Sequence, residues 1–195
     1  MKTKFLKLSL LTLFIFTASC SSDDDNKEIP AVVTTKVSNL DATSTTAFTK
    51  FSFSENKVVT GDNWDIAFSS TTILVNGGTK KADAEPVRTG SGAVSIVSGT
   101  FASVTTFPLA TTFVQDAAAS YAIPTGSGNG WYNYSNTIIS PIAGKVFVVK
   151  THDGKYAKFE ILSYYKDAPA TPDATSVGRY YTFNYAYQAN STTTF

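Results

Sequence analysis

The one histidine of this chain, His152, is the residue best suited to general acid–base or nucleophilic chemistry near neutral pH. A Ser-His-Asp arrangement would have to use it, and Asp153 is the carboxylate beside it in sequence. The surrounding KTHDGK is typical of a hairpin turn, and Asp153 cannot readily orient the imidazole while it also forms the turn. We therefore expect His152 to have no catalytic role, and the protein not to be an enzyme.

The carboxylates and possible metal ligands offer little further chemistry. Asp62 and Asp65 bracket Trp64, and Glu160 lies among lysines, so solvated side chains account for them without a paired acid and base. The sequence has no His/Cys cluster, and DDDN at residues 23–26 lacks the spaced oxygens and the glycine of a calcium loop. We expect no metal site built from such clusters.

The segment GSGNGWYNYSN, residues 126–136, is the stretch that most suggests binding. A dinucleotide site needs such glycines between a strand and a helix, so that the phosphates meet the helix N-terminus. Here strand-forming residues follow, including Trp131, Tyr132 and Tyr134, which argues against a phosphate cradle. Two interpretations remain: the lip of a pocket for a flat ligand, or a purely structural turn and strand.

The first twenty residues predict export. MKTKFLKLSLLTLFIFTASC has a basic start, a short apolar run and then small residues, which is typical of a secretory signal and too short to span a bilayer. Cys20 at the cleavage point resembles a lipobox cysteine that receives a diacylglycerol; the alternative is a free thiol in a discarded signal. We predict a lipoprotein signal peptide at 1–19 and an acidic, flexible tether at 20–30.

The charge balance argues against nucleic acid as a partner. Without the three lysines of the signal, 13 basic residues face 15 acidic ones, a formal charge of −2, and only 16% of the chain is charged. No basic patch is therefore available to neutralise a run of phosphates. Since Cys20 is the only cysteine, the fold must depend on packing and not on disulfides.

The elements that position these residues are predicted to be strands. Thr, Val, Phe, Tyr and Ser dominate, aromatic residues make up 13% of the chain, and turn residues recur at short intervals. Phe51 and Phe53 are expected to share one strand face, residues 64–76 to form one or two buried strands, and residues 99–106 a weaker strand. The best helical candidate is the Ala-rich run at 115–121.

The C-terminal third gives the strongest signal. KVFVVKTHDGKYAKFEILSYY predicts two strands joined by a type I′ turn at Asp153-Gly154. In the second arm Ala157, Phe159 and Ile161 point one way. RYYTFNYAY places Tyr181, Phe183, Tyr185 and Tyr187 on one face, which is more typical of core than of a cofactor site. One all-β domain at 31–195, an antiparallel sandwich or open barrel, fits best.

The order of these motifs resembles the HmuY-like lipoproteins of Bacteroidetes. The resemblance rests on WDIAFSSTTILVNGG, then GW, then KVFVVKTHDGKYAKFEILSYYKDAP and RYYTFNYAYQ, and it covers about residues 51–188. The lipobox and the acidic SSDDDN, which is similar to a surface-export tag, match as well. The resemblance implies an all-β lipoprotein anchored in the outer membrane by its lipid and facing the extracellular side. It also implies capture of haem between two axial histidines and delivery to a TonB-dependent outer-membrane receptor, with methionine as the ligand in other members.

This sequence departs from the family pattern at the iron ligands. Asn136 occupies the place of one family histidine, and residues 107–130, where the other belongs, contain neither His nor Met. The only methionine is Met1, and His152 matches neither ligand position. The bis-histidine site is therefore not carried over.

Haem binding without these histidines is still open. Apolar and aromatic contact alone supplies substantial free energy, and a tyrosinate can ligate ferric iron. The candidate contacts are the aromatic and amide residues in and before the glycine-rich segment: Trp131, Tyr132, Tyr134, Asn136 and Tyr121. The alternative is an interaction module on the same scaffold whose ligand is not haem, such as a glycan, another small molecule or a partner protein.

Overall fold

The structure, a computed structural model, describes residues 31–195. The predicted signal peptide at 1–19, Cys20 and the predicted tether at 20–30 therefore lie outside the described residues. Within this range the chain forms eleven β-strands and one short 3₁₀ turn at Ala110–Thr112. The strands are β1 Thr34–Asp41, β2 Thr49–Ser52, β3 Lys57–Val59, β4 Ile66–Ser69, β5 Thr72–Val75, β6 Ala93–Ser98, β7 Tyr132–Ser135, β8 Ile138–Pro141, β9 Lys145–Lys150, β10 Tyr156–Tyr165 and β11 Gly178–Gln188.

Two antiparallel sheets contain nine of these strands. The larger has the order β1-β11-β10-β9-β6 and the smaller the order β3-β2-β4-β5. In the larger sheet Phe159 on β10 pairs with Tyr185 on one side and Phe147 on the other, so three rings lie side by side. The predicted alternation of β10 and β11 is confirmed, because the inward-facing residues of both strands belong to the main core.

The main core lies between the two sheets. Phe51 of β2 meets Phe183 of β11 edge to face at 5.4 Å, and Phe68 of β4 meets Tyr181 at 4.7 Å between ring centroids. Such offset and edge-on contacts add to the free energy gained from burying the rings. Two antiparallel sheets that share one aromatic core form a β-sandwich, which confirms the predicted fold class.

Both sheets are also covered on their outer faces. The smaller sheet buries Ala67 and Leu74 against Trp64. The larger sheet buries Val146 and Val148 under residues 99–113 and the C-terminal Phe195. The ammonium of Lys158 is held in this outer layer by the carbonyl oxygens of Phe101 and Val104, at 2.9 and 2.7 Å. The burial lowers the pKa of Lys158.

Three local predictions were wrong. The strand lies at Ala93–Ser98 and not at 99–106, where backbone hydrogen bonds to the Thr100 carbonyl form a turn. Residues 115–121 are not helical, because the Asp116 carboxylate accepts backbone hydrogen bonds from Val75 and Ala122 and fixes the segment in an irregular path. The β9–β10 connection is a longer loop, in which only Gly154 has a positive φ, of 82°.

A third, two-stranded sheet consists of β7 and β8. Its turn residues, Asn136 and Thr137, both have positive φ angles, of 49° and 67°, so the type I′ turn expected at Asp153-Gly154 is found here. We call Tyr132–Pro141 the site hairpin, because it carries most of the predicted ligand contacts. No helix among residues 31–195 has the length and apolar character needed to cross a membrane.

Candidate functional site

Trp131 anchors the base of the site hairpin. Its side chain is 1% exposed, and its indole Nε1 donates to the carbonyl oxygen of Thr71 in the β4–β5 turn at 2.8 Å. Its ring lies 4.9 Å from Tyr132, 5.2 Å from Tyr181 and 5.7 Å from Tyr164. Trp131 therefore ties the hairpin to both sheets and is covered by the protein's own side chains.

The hairpin register determines which residues share a face. Tyr132 pairs with Pro141 and Tyr134 with Ile139, and directly opposed residues lie on the same side of a hairpin. The Ile139 amide donates to the Tyr165 hydroxyl of β10 at 2.9 Å, which attaches β8 to the larger sheet. This face therefore starts in the core at Tyr132, which is 9% exposed, and emerges at Tyr134, which is 55% exposed.

Within the site hairpin, Tyr134 and Asn136 are the predicted contacts that are exposed to solvent. Asn136 occupies the first position of the exposed turn, where its left-handed φ suits asparagine better than most residues. The Tyr134 amide donates to the Ser127 hydroxyl at 2.7 Å, which connects the strand to the glycine-rich loop. A ligand that approaches the exposed end of the site hairpin therefore meets the ring of Tyr134 and the side-chain amide of Asn136 first.

The glycine-rich loop turns the chain into β7. Gly126 and Gly128 have φ angles of 96° and 82°, and Gly130 passes so close to Pro124 that a Cβ would lie 1.9 Å from its carbonyl oxygen. The expectation that a strand follows is confirmed by β7. These glycines are therefore needed for the positive φ angles and the close backbone approach at the base of the hairpin.

Tyr121 lies in a different environment from the other four candidates. It packs against the cluster of Trp64, Ala67 and Leu74, and its hydroxyl donates to Glu85 Oε1 at 2.6 Å. Burial and the Glu85 carboxylate raise the pKa of Tyr121 to about 12. Its phenol is thus held protonated, and the structure does not place it beside Trp131.

A cleft of about 320 Å³ opens at the base of the site hairpin. Pro141, which shares a hairpin face with Tyr132 and Tyr134, lines it together with Lys145, Glu160 and Leu162. Leu162 is 41% exposed, so the cleft offers apolar surface beside an ammonium and a carboxylate.

Sequence reasoning missed the partner of His152. Asp65, expected to be solvated, is 1% exposed, and its Oδ1 lies 2.8 Å from His152 Nδ1 and accepts from the His152 amide at 3.0 Å. Its Oδ2 accepts from the Phe53 amide at 2.7 Å, while desolvation raises the pKa of Asp65. The pair fastens the β9–β10 loop to the smaller sheet, a role that only the folded chain reveals.

The iron ligands of a histidine-bound haem are not assembled at the site hairpin. His152 precedes β10, whereas the hairpin contacts Tyr165 at the strand's other end, about 30 Å away for a ten-residue strand. Among residues 31–195 no group of three or more His, Cys, Asp or Glu side chains is placed to hold a metal ion. The hairpin residues fit aromatic contact and hydrogen bonding, with phenol oxygen as the one iron ligand on offer.

A sequence model of a protein family, described as HmuY protein, matches residues 44–185. The matched range includes β2 to β10, most of β11 and the site hairpin. No curated protein sequence matches this chain.

Solved structures with the same fold come from three bacteria. The apo HmuY analogue of Tannerella forsythia has a TM-score of 0.57 at 16% identity, covering 83% of this chain and 98% of its own. A protein of Bacteroides fragilis described as a lipoprotein has a TM-score of 0.50 at 20% identity, covering 80% of this chain and 88% of its own. A protein of Bacteroides vulgatus described as HmuY-like and haem-binding has the same TM-score and identity, covering 80% and 92%. These likenesses establish a shared fold.

Proposed function

Because this chain belongs to the HmuY family, we propose that it binds haem or a related tetrapyrrole at the cell surface. In this proposal Cys20 carries the lipid, residues 20–30 form the tether, and residues 31–195 form the binding domain outside the outer membrane. Uptake would then proceed through a TonB-dependent outer-membrane receptor. The family match over residues 44–185 is the observation that carries the proposal, and the lipoprotein and the haem-binding protein among the structural neighbours support it.

The site hairpin is the part of the fold that suits a flat ligand. Tyr134 presents an exposed ring beside the rigid base formed by Trp131 and Tyr132, so a contact with it costs little ordering of the backbone. The macrocycle would stack on the exposed ring of Tyr134, and Asn136 would donate to a propionate or a water. Lys145 lines the neighbouring cleft, and its Nζ donates to the carbonyl oxygens of Asn129 and Gly130 at 3.2 and 2.8 Å, which leaves one N–H for the second propionate.

Iron coordination contributes little in this proposal. Tyr121 is engaged with Glu85, and Trp131 has no lone pair to offer iron. Tyr134 is the exposed phenol that remains, and its replacement by phenylalanine tests whether it coordinates iron. The ring contacts, and not an axial bond, would hold the ligand.

The proposal is tested by titrating haemin into variants of Tyr134 and following the Soret absorbance. Tyr134→Ala should weaken binding about tenfold, since an aromatic contact contributes about 1.4 kcal/mol. Tyr134→Phe should bind as the unchanged protein does, because it keeps the ring. His152→Ala, at the other end of β10, serves as the control and should leave the Soret band unchanged.

The second candidate function is an interaction module whose ligand is not haem. The burial of Trp131 and Tyr132 favours it, because their rings fill space that a deep porphyrin slot would need. In that case haemin produces no Soret shift at micromolar concentration in any of these proteins. That result would reject haem while leaving the shared fold intact.

A further inference from the structure

A second cleft, of about 340 Å³, lies on the outer face of the larger sheet at the end of β10 away from the site hairpin. Three adjacent strands bring Ala93, Lys150 and Tyr156 into one row, since Lys150 pairs with Ala93 on one side and Tyr156 on the other. The small side chain of Ala93 leaves room between the lysine and the sheet edge. We call this the β6 cleft.

The far wall of the β6 cleft is held in place by backbone hydrogen bonds. Val114 exchanges two of them with Val94, at 2.8 and 2.9 Å, which fixes the neighbouring Phe113 and Gln115 over the sheet. Gln115 Nε2 donates to the Gly92 carbonyl at 3.2 Å, so the amide oxygen of Gln115 is available to a ligand. The wall is therefore fixed before any ligand arrives.

The β6 cleft combines a cation with aromatic surface. Lys150 makes no ion pair within the described part of the chain, and none of the residues that line the cleft carries a carboxylate. The Tyr156 ring is stiffened by stacking on Phe107 at 4.1 Å, and Phe113 meets it edge to face at 5.9 Å. Ser91, whose hydroxyl lies 3.5 Å from the His152 carbonyl oxygen, also lines the cleft.

We propose that the β6 cleft binds a carboxylate-bearing sugar unit, such as a hexuronic acid or a sialic acid of a glycan. The Lys150 ammonium pairs with the carboxylate, and the rings of Tyr156 and Phe113 cover the apolar face of the sugar. Gln115 and Ser91 hydrogen-bond its hydroxyls. The site is separate from the proposed haem site, because the β6 cleft shares no residue with the site hairpin or with the cleft beside Pro141.

The test measures binding of glucuronic acid, glucose and acetate to the purified protein by saturation-transfer NMR. Glucuronic acid should bind at least tenfold more tightly than glucose or acetate, because it alone offers both the carboxylate and the ring. Lys150→Met should remove that preference. Lys36→Met, on the distant exposed strand β1, should keep it.

Tyr156→Phe is a conservative change in the same cleft, and it shows whether any substitution there abolishes binding by disturbing the fold. Tyr156→Phe keeps the stacking on Phe107 and should bind glucuronic acid within about threefold of the unchanged protein. Equal binding of glucuronic acid and glucose, the absence of any saturation transfer, or an equal loss in Lys36→Met and Lys150→Met would each overturn the proposal. Haemin titration should be unaffected by Lys150→Met.

Discussion

Arg88 brings a positive charge into the interior, next to Trp64, whose ring lies 5.7 Å from the guanidinium carbon. Its Nη2 lies 2.8 Å from Glu85 and 2.9 Å from Asp116, and all three charged side chains are at most 2% exposed. The group connects the loop after β5 to the segment that leads into the site hairpin. Buried ions of this kind are costly to desolvate, so each depends on its partners.

Arg88→Met should lower the free energy of unfolding by about 3–5 kcal/mol, because it leaves the carboxylates of Glu85 and Asp116 buried without a cation. Lys57→Met is the matched control, because its pair with Glu55 is exposed to solvent and should contribute far less to stability. Urea unfolding measures both. Equal losses in the two variants would show that the buried group is not a structural tie.

The sequence identified the candidate residues more successfully than it predicted their burial and their contacts. The sequence was enough to name Trp131 and Tyr132 as aromatic residues beside a glycine turn, but their burial depends on Thr71 and Tyr164, which are distant in sequence. Asp65 looked solvated because the chain around it is polar, and its contact with His152 spans 87 positions. Local pattern carries no information about such long-range partners.

Strands with alternating hydrophobicity were the most predictable elements. β10 and β11 were found because their inward residues repeat every second position over ten and eleven residues. β6 was missed because its six residues follow a Gly-Ser-Gly turn and mix serine with valine. The prediction of the β9–β10 turn was wrong because the Asp153 carboxylate accepts hydrogen bonds from the Thr151 hydroxyl and the Lys155 amide, and Asp153 keeps a negative φ.

The site hairpin turn contains a strained residue. Thr137 is β-branched and has a φ of 67°, a conformation that costs L-residues about 1–2 kcal/mol. Thr137→Gly should therefore raise the free energy of unfolding by about 1 kcal/mol, measured by urea unfolding. Thr171→Gly, in an exposed loop without a left-handed φ, should instead lower it. A loss of stability in Thr137→Gly would contradict the strain argument.

Across the whole molecule, the two proposed binding sites lie on different parts of the sandwich. One end of β10 carries the site hairpin and its cleft, and the other carries the Asp65–His152 pair and the β6 cleft. The family fold and the hydrophobic pattern were sufficient to predict the sandwich. They could not predict the β6 cleft, because its walls depend on how the loops at 76–92 and 99–116 pack against the larger sheet.

In the proposed function, contact with the hairpin face holds the tetrapyrrole, and coordination of iron does not. The most direct measurement compares the affinities of haemin and iron-free protoporphyrin for the unchanged protein by quenching of intrinsic fluorescence. We expect the two dissociation constants to agree within about threefold, because the ring makes the contacts in both. Haemin binding more than about a hundredfold tighter, or no binding of either ring, would contradict the claim.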